Sequence, residues 1–346
     1  MERKDADMLL KIYGRCWMEE DTKIEYLAVV YDDKNKGSFI IEKGVREDDY
    51  SISTKNVTYE HVPLVCKLKK IENFLPDLSS ELQNSITETE TVIVRKRKGI
   101  NKISLQNICK HKIRPVVAGC EIQNDNHTEV WGSIGAFLKI SPIGDKITFA
   151  LTNHHVVLKE NRANKEDLIF QPNNYNNDYS NAIGKIKFSH FGKTSKGDFL
   201  DVAFIELLNS NQREKTNHNG FVWSSESTSQ HEPYLDGILK PEIDMDVKIF
   251  GKTSGLESNT IISDNAHVRI ELKTGKTIFE KQVLIKKISQ KGDSGSVVIN
   301  NNKVVGLLFA GDGHCISVAN NINAIFDNEY MIEGRKRKIK FKKFLT

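Results

Sequence analysis

Three short segments of the sequence carry residue types that could hydrolyse an amide. His155 follows one apolar run, Asp201 opens another, and Ser294 lies in the sequence Gly-Asp-Ser-Gly at 292–295. A serine hydroxyl is too weak a nucleophile to attack an amide unless a neighbouring imidazole accepts its proton. A buried carboxylate can fix the tautomer of that imidazole and stabilise its protonated form. Taken together, the three residue types predict nucleophilic hydrolysis of a peptide bond.

The glycines beside Ser294 predict a tight turn. Glycine adopts backbone angles that other residues resist, so Gly292 and Gly295 let backbone N–H groups point into a site. A negative charge that develops on a substrate oxygen needs such preorganised donors. Each segment alone has an ordinary structural explanation, such as a histidine at a strand end or an aspartate in a turn. Their occurrence in one chain, in the order His, Asp, Ser, is what favours catalysis.

Short apolar runs, typical of β-strands, must position these residues. From residue 113 onward such runs alternate with polar loops, and residues 321–330 fit one amphipathic helix. The runs lie at 133–140, 146–151, 200–207, 246–250, 266–272, 283–288, 296–299 and 304–309. This pattern predicts an all-β barrel or sandwich with a terminal helix.

The first part of the chain has a different pattern. Residues 5–20 show helical spacing of apolar positions, and residues 26–31 and 38–41 read as strands around a turn-rich segment. We therefore expect residues 1–110 to form a small α+β region, to which the sequence assigns no chemistry.

Two basic clusters account for the positive net charge of +4. Residues 95–102 hold five Lys or Arg and residues 335–343 hold seven, with no acid in either cluster. The remainder is net acidic, so general affinity for nucleic acid is not implied. We interpret the clusters first as a solvated linker and a basic C-terminal tail at 335–346. Nucleic-acid contact or nuclear import is the weaker alternative.

Several classes of protein are excluded by what the sequence lacks. It has no apolar run of about 18 residues, so we expect no transmembrane helix and no membrane partner. Its start does not read as a secretory signal. The five cysteines are scattered and unpaired in spacing, which predicts free thiols in a reducing, intracellular and cytoplasmic location. Phosphate-binding loops and metal-ligand motifs are also missing, so we predict no cofactor and no metal.

The candidate residues lie in motifs that resemble those of chymotrypsin/trypsin-like serine proteases. The motifs are LTNHHV at 151–156, DVAFI at 201–205 and GDSG at 292–295. The resemblance implies that His155 is the general base, Asp201 orients it and Ser294 forms the acyl-enzyme. It also implies that the backbone N–H groups of Gly292 and Ser294 form the oxyanion hole.

Further segments narrow the resemblance to intracellular trypsin-like peptidases. They lie at 113–116, 131–137, 251–255 and 319–322. This resemblance implies two six-stranded antiparallel β-barrels with a C-terminal helix, in a peptidase domain at 111–334. The implied function is that of an intracellular serine endopeptidase acting on protein or peptide substrates. The alternative is a catalytically silent trypsin-like scaffold that binds protein or nucleic acid.

The sequence also departs from the family pattern. Val156 stands where secreted members carry a cysteine that forms a disulfide. In family members that are activated from zymogens, the aspartate that corresponds to Asp293 binds the N-terminus that cleavage frees. No cleavage site of that kind precedes the predicted barrel in this sequence. We therefore expect Asp293 to have another partner.

The resemblance also implies a substrate-binding region. It places Ile288 at the base of the primary specificity pocket, with Ser289 beside it. An acid at the base would favour Arg or Lys in the substrate, and Ile288 instead favours apolar or small side chains. The strand that contains Phe309 and Gly311 is expected to pair with the substrate backbone.

Overall fold

The chain forms two compact units in the part of it that the structure describes. A computed structural model describes residues 1–32, 38–46, 59–63, 93–94, 112–113, 116–126, 130–143, 147–158, 167–172, 179–208, 235–272 and 275–344. The first unit comprises Met1–Asn101 and Ile262–Leu284, and the second comprises Lys102–Ile261 and Ile285–Thr346. The sequence predicted a division near residue 110, and the structure also assigns residues 262–284 to the first unit. The basic cluster at 95–102 lies outside the described residues.

Most of the described secondary structure is β-strand in antiparallel sheets, which confirms the predicted mostly β character of the chain. The helices are α1 (Arg3–Glu20), α2 (His154–Val157) and α3 (Ile322–Asp327), with a 3-10 turn at Tyr179–Asn181. The strands are β1 (Ile24–Tyr31), β2 (Phe39–Arg46), β3 (Tyr59–Pro63), β4 (Ile93–Val94), β5 (Glu121–Asn124), β6 (Gly132–Ser133), β7 (Ala136–Ser141), β8 (Phe149–Thr152), β9 (Leu168–Phe170), β10 (Ala182–Lys193), β11 (Phe199–Leu207), β12 (Gly237–Ile238), β13 (Asp246–Gly251), β14 (Gly255–Leu272), β15 (Gly275–Lys286), β16 (Val297–Asn300), β17 (Lys303–Gly311), β18 (Ile316–Asn321), β19 (Glu329–Ile332), β20 (Arg335–Lys338) and β21 (Lys340–Phe344). Within the described ranges, none of the helices has the length and apolar character needed to cross a bilayer.

In the first unit, α1 packs against an antiparallel sheet. The helix buries one face, which includes Leu10 and Trp17, because its apolar residues recur at helical spacing. β1 pairs with β2 and with the middle of β14, where Tyr26 lies opposite Val268. The side chain of Arg269 donates to the Ile24 carbonyl at 3.0 Å, beside the end of α1. The predicted helix and strands of this region therefore form, and β14 supplies their sheet neighbour.

The second unit contains an eight-stranded antiparallel sheet, in the order β21-β7-β8-β11-β10-β9-β5-β6. β8 and β11 are neighbours, with Thr152 opposite Ala203. In an antiparallel pair this register continues beyond the end of β8, so that the residues after Thr152 lie beside Asp201. The sheet therefore positions His155 and Asp201 before any side chain is considered.

A second group of strands in this unit carries the segment around Ser294. β16 pairs with β13 and β17, β17 pairs with β18, and the first residues of β14 pair with β13. The segment that joins β15 to β16 contains Ser294. The turn between β13 and β14, at residues 252–254, is a short reversal in which Gly251 lies opposite Gly255.

An aromatic core lies beneath the strand that carries Asp201. Phe188 stacks on Phe204 with ring centroids 4.6 Å apart, and Tyr330 packs against both rings. All three side chains are buried. Full burial of a side chain such as Phe stabilises the fold by about 1.5–3 kcal/mol, so this cluster fixes the position of β11.

The basic segment near the end of the chain forms strands and differs here from the tail that the sequence suggested. β19 pairs with β20, and β21 pairs with β7, where Phe344 lies opposite Leu138. The reason is that apolar residues interrupt the cationic run: Ile339 and Phe344 are buried while Lys338 and Lys340 are exposed. The charges occupy the solvent-facing positions of an amphipathic segment.

Candidate active site

His155 lies in a short helix that begins where β8 ends. The helix α2 starts after Asn153, whose side-chain amide donates to the backbone carbonyl of Asp201 at 2.8 Å. This bond joins the histidine segment to β11 beyond the last backbone pair of the two strands. Since Asn153 is buried, the position of His155 is fixed by the sheet on one side and by this amide on the other.

Asp201 binds His155 through both of its carboxylate oxygens. Oδ2 lies 2.5 Å from Nδ1 of the imidazole, and Oδ1 accepts the backbone N–H of His155 at 3.1 Å. The carboxylate therefore holds Nδ1 in its protonated form and leaves Nε2 as the ring nitrogen able to exchange a proton with a substrate or a nucleophile.

The electrostatics of this pair favour the charged forms of both residues. Burial alone would lower the pKa of His155, but the charge of Asp201 and the hydrogen bond to it outweigh burial and raise that pKa above 6.5. Burial alone would raise the pKa of Asp201, but the charge of His155 and its hydrogen bonds hold that pKa below 3.8. The site is therefore built to stabilise an imidazolium beside a carboxylate.

A buried asparagine that the sequence analysis missed supports Asp201 from behind. The side-chain oxygen of Asn320 accepts the backbone N–H of Asp201 at 2.9 Å, and its amide donates to the carbonyl of Phe199 at 3.2 Å. Asn320 lies in β18 and is fully buried. Its proximity to Asp201 depends on contact between distant strands, and only its place in a resemblance segment at 319–322 hinted at a role.

The histidine segment and the serine segment meet at Gly132. A β-carbon at Gly132 would lie 2.6 Å from the carbonyl oxygen of Ser294 and 2.5 Å from a methyl group of Val156. The next residue, Ser133, donates its backbone N–H to that same Ser294 carbonyl at 2.7 Å. The residue after His155 and the backbone of Ser294 therefore approach one another with room only for glycine between them.

The hydroxyl of Ser294 points towards β17. It donates to the backbone carbonyl of Phe309 at 3.3 Å, and within the described residues it makes no hydrogen bond to His155. Phe309 lies in β17, the strand that was expected to pair with substrate. The structure therefore brings Ser294 and the His155–Asp201 pair to one place, with the serine hydroxyl turned towards β17.

Two backbone N–H groups of the serine turn have no hydrogen-bond partner in the described part of the chain. They belong to Gly292 and Ser294. In each case, the carbonyl of the same peptide group accepts a hydrogen bond from another residue. The carbonyl of Lys291 accepts the hydroxyl of Thr253 at 2.9 Å, and the carbonyl of Asp293 accepts the N–H of Ser296 at 3.0 Å. The N–H and C=O of a trans peptide point in opposite directions. Each of the two N–H groups therefore points away from the donor that binds the carbonyl of its own peptide group.

Asp293 is bound by neutral donors, which supplies the partner that the sequence analysis left open. Its carboxylate accepts the N–H groups of Thr253 at 2.8 Å, Ser254 at 3.0 Å and Gln290 at 2.8 Å, and the hydroxyl of Ser254 at 2.5 Å. Asp293 is fully buried, and four donors can satisfy both oxygens of a buried carboxylate. The turn is therefore held in place from within the second unit.

The residues expected to line the substrate pocket also lie together. Ile288 is buried, and its backbone N–H donates to the hydroxyl of Ser317 at 3.1 Å. The hydroxyl of Ser317 lies 2.8 Å from that of Ser289, and a β-carbon at Gly311 would lie 3.5 Å from the Ser289 hydroxyl. The group combines an apolar side chain with two paired hydroxyls, and Ser317 was not identified from the sequence.

Comparison with solved structures gives distant likenesses to several proteases. No family model matches the chain, and no curated protein matches it. Protease A of Thermobifida fusca is 15% identical, with 61% of this chain and 93% of that chain covered and a TM-score of 0.43. The chymotrypsin of Cellulomonas bogoriensis is 16% identical, with coverages of 61% and 93% and a TM-score of 0.41. The Nocardiopsis protease NAPase is 15% identical, with coverages of 65% and 98% and a TM-score of 0.45.

Proposed function

We propose that this chain is a serine endopeptidase that hydrolyses peptide bonds through Ser294, His155 and Asp201. The observation that carries the proposal is the combination found around Ser294. A histidine held by a buried carboxylate directly precedes Val156, whose side chain and the Ser294 carbonyl both crowd Gly132, and two N–H groups of the serine turn have no partner among the described residues. A nucleophile, a base with a fixed tautomer and preorganised anion donors are the three parts that acyl transfer requires.

The reaction begins with rotation of the Ser294 side chain from Phe309 towards His155. Nε2 of His155 accepts the hydroxyl proton while Oγ forms a bond to the substrate carbonyl carbon, and the carbonyl π electrons move to its oxygen. The N–H groups of Gly292 and Ser294 bind that oxyanion, and Asp201 stabilises the imidazolium. The imidazolium then gives its proton to the leaving amine as the C–N bond breaks, which leaves an acyl-enzyme.

A water molecule completes the cycle by the same steps. His155 accepts a proton from the water as its oxygen attacks the acyl carbon, and the resulting imidazolium returns a proton to Oγ of Ser294 as the ester bond breaks. The carboxylic acid product leaves, and the enzyme regains its starting protonation state. No group other than water and the described residues is needed for this balance.

The proposal includes a fold and a location. The proposed fold is that of two six-stranded antiparallel β-barrels, and one of them is supported by the pairing of β13 with β14, which lie at opposite ends of one run of six neighbouring strands. An intracellular location is proposed from the sequence, in which the five cysteines are odd in number and scattered and so do not indicate a disulfide framework.

Cleavage after uncharged, apolar or small residues is the proposed preference. Ile288 and the hydroxyls of Ser289 and Ser317 form the group beside Gly311, and they offer no charge to pair with a substrate Arg, Lys, Asp or Glu. Burying an unpaired substrate charge against such a group is costly. A set of peptide anilides that differ only at the cleaved residue measures this preference through kcat/KM.

One observation favours a different function, that of a catalytically silent scaffold that binds protein or nucleic acid. The Ser294 hydroxyl bonds to Phe309 instead of to His155, which is the arrangement expected if no base is needed. The exposed cations of β20 and β21 would then serve as a binding surface for an anionic partner.

Hydrolysis of a quenched fluorescent peptide library separates the two functions. The proposed endopeptidase cleaves the library, and Ser294→Ala lowers kcat by about 10⁶-fold, as removal of a triad nucleophile does elsewhere. Ser258→Ala removes an exposed serine of β14 and serves as the matched control with unchanged turnover. Cleavage that survives Ser294→Ala at the wild-type rate would contradict the proposed nucleophile, and an inert wild-type chain would favour the scaffold.

A further inference from the structure

One peptide group of the serine turn is held by a single side chain. The N–H of Gly292 belongs to the Lys291–Gly292 peptide, and its orientation follows from that of the Lys291 carbonyl. Within the described residues, that carbonyl has one hydrogen-bond donor, the hydroxyl of Thr253 at 2.9 Å.

The chain itself does not fix this peptide group. Gly292 has a φ of +105°, and glycine accepts either sign of φ, so a flip of the Lys291–Gly292 peptide meets little steric resistance. A flipped peptide would direct the Lys291 carbonyl, instead of the Gly292 N–H, to the side on which an oxyanion binds. An acceptor in that position would repel the developing negative charge.

The neighbouring peptide groups are held more firmly. The Asp293–Ser294 peptide is anchored by the backbone N–H of Ser296, and the Asp293 side chain accepts four hydrogen bonds. The Gly292–Asp293 peptide is anchored by the buried hydroxyl of Ser133, which donates to the Gly292 carbonyl at 3.1 Å. The peptide that carries the Gly292 N–H is therefore the one whose orientation depends most on a single, accessible side chain.

Thr253 is itself well placed to act as an anchor. Its backbone N–H donates to the carboxylate of Asp293 at 2.8 Å. Thr253 therefore binds the Asp293 side chain through its backbone and the Lys291 carbonyl through its hydroxyl. Its Oγ1 would lie 2.5 Å from a β-carbon at Gly292, which shows how closely the hydroxyl approaches the peptide. The short reversal between β13 and β14 holds Thr253 in this position.

We propose that Thr253 is a positioning residue, whose hydroxyl holds the Lys291 carbonyl and thereby directs the Gly292 N–H towards the substrate oxyanion. This inference rests on the proposed endopeptidase function. It assigns to Thr253 an effect on transition-state stabilisation that is separate from substrate binding and from proton transfer by His155.

The test uses the full chain and an alkyl fluorophosphonate, whose phosphoryl oxygen requires the same N–H donors during reaction with Ser294. Thr253→Val keeps the shape of the side chain and removes the hydroxyl, and it lowers the maximal rate of inactivation, kinact, by about 10-fold to 10²-fold. The half-saturating concentration KI changes by less than about twofold, because ground-state binding does not use the anchored N–H. Thr253→Ser retains the hydroxyl and restores kinact to within about threefold of wild type.

A control and a pH profile separate positioning from a structural effect. Thr260→Val makes the same change in β14, away from the turn, and leaves kinact and KI unchanged. The pKa of the acid limb of kinact/KI stays the same in Thr253→Val, because the variant does not touch His155 or Asp201. Should Thr253→Val fold poorly by thermal melting, Thr253→Ala removes the same hydroxyl and replaces it in the comparison.

The outcomes distinguish this inference from the function on which it rests. Wild-type protein that never reacts with the probe overturns both the proposed function and the role of Thr253. Reactive wild-type protein with an unchanged kinact in Thr253→Val overturns only the role of Thr253. An equal loss of kinact in Thr253→Ser and Thr253→Val also overturns it, since the hydroxyl would then not be the group that acts.

Discussion

The imidazole of His155 and the carboxylate of Asp201 are joined at two points. Nδ1 lies 2.5 Å from Oδ2, and the backbone N–H of the same histidine donates to Oδ1 at 3.1 Å. The second bond fixes the residue and the first fixes its ring, so the carboxylate determines where Nε2 points. Burial disfavours the charged form of the Asp201 carboxylate, and the interaction with His155 offsets this effect. The pKa values of the two residues should therefore depend on each other.

The first prediction concerns the pH dependence of activity. Because Asp201 raises the pKa of His155 above 6.5, activity falls as the pH drops below that raised value and the base becomes protonated. Asp201→Asn removes the charge and leaves burial as the dominant effect, so the pKa of His155 shifts downward and the acid limb moves to lower pH. The same variant lowers kcat by about 10⁴-fold, because the tautomer is no longer fixed.

The shift can be followed by NMR titration of the His155 ring protons in both proteins. His190, whose pKa is lowered by burial, provides an internal control that does not change between them. An unchanged or higher pKa for His155 in Asp201→Asn would contradict the electrostatic account of the pair.

The second prediction concerns stability. The raised pKa of His155 adds stability that is complete below pH 6.5 and is lost as the pH rises through the folded value. The lowered pKa of Asp201 adds stability that is complete above pH 3.8 and is lost as the pH falls through its folded value. The difference in unfolding free energy between wild type and Asp201→Asn is therefore largest between pH 3.8 and 6.5. Urea unfolding at pH 5 and pH 9 measures it, and a larger difference at pH 9 would be inconsistent with this linkage.

The third prediction concerns Asn320. Asn320→Ala removes the buried side-chain acceptor of the Asp201 N–H and the hydrogen bond to the Phe199 carbonyl, and leaving the buried Asp201 N–H unsatisfied costs about 1–3 kcal/mol. Asn259→Ala removes an exposed side-chain hydrogen bond to the Lys287 carbonyl and costs less, about 0.5–1.5 kcal/mol. Chemical denaturation of both variants tests the comparison. Equal losses would show that the buried amide does not support Asp201.

The fourth prediction concerns the close approach at Gly132. Gly132→Ala places a methyl group against the Ser294 carbonyl and the Val156 side chain, so it must move the serine turn away from the histidine segment. We expect kcat to fall by about 10²-fold, the loss that a misplacement of about 1 Å can cause. Gly237→Ala is the matched control, since a β-carbon there meets nothing within 4 Å. Full activity in Gly132→Ala would mean that the two segments do not need this contact.

The residues of the candidate site that could be named from the sequence are those that local patterns encode. His155, Asp201 and Ser294 each lie at a junction between an apolar run and a turn. Junctions of this kind can be recognised in a single sequence. Asn320 and Thr253 could not be recognised as parts of the site, because their roles arise from contacts with residues far away in the chain. Their residue types are common, and no spacing rule connects them to Asp201 or Lys291.

The fold shows the same division between local and distant information. The short apolar runs separated by polar loops predicted a mostly β chain, and the helical spacing near the start predicted α1. The pairing of β1 with β14 could not be predicted, since register across such a distance is set by tertiary packing. The strands β20 and β21 were not predicted, because the segment contains seven Lys or Arg residues. Its buried apolar residues, Ile339 and Phe344, are too few to show a strand pattern among these charges.

The proposed reaction requires that the Ser294 oxygen become a nucleophile when His155 accepts its proton. The most direct test treats the protein with a fluorophosphonate and locates the adduct by tandem mass spectrometry of the digested chain. We expect one adduct, on the peptide that contains Ser294, formed in wild type and lost in His155→Ala. An adduct on another serine, or equal labelling of Ser294 in His155→Ala, would contradict it.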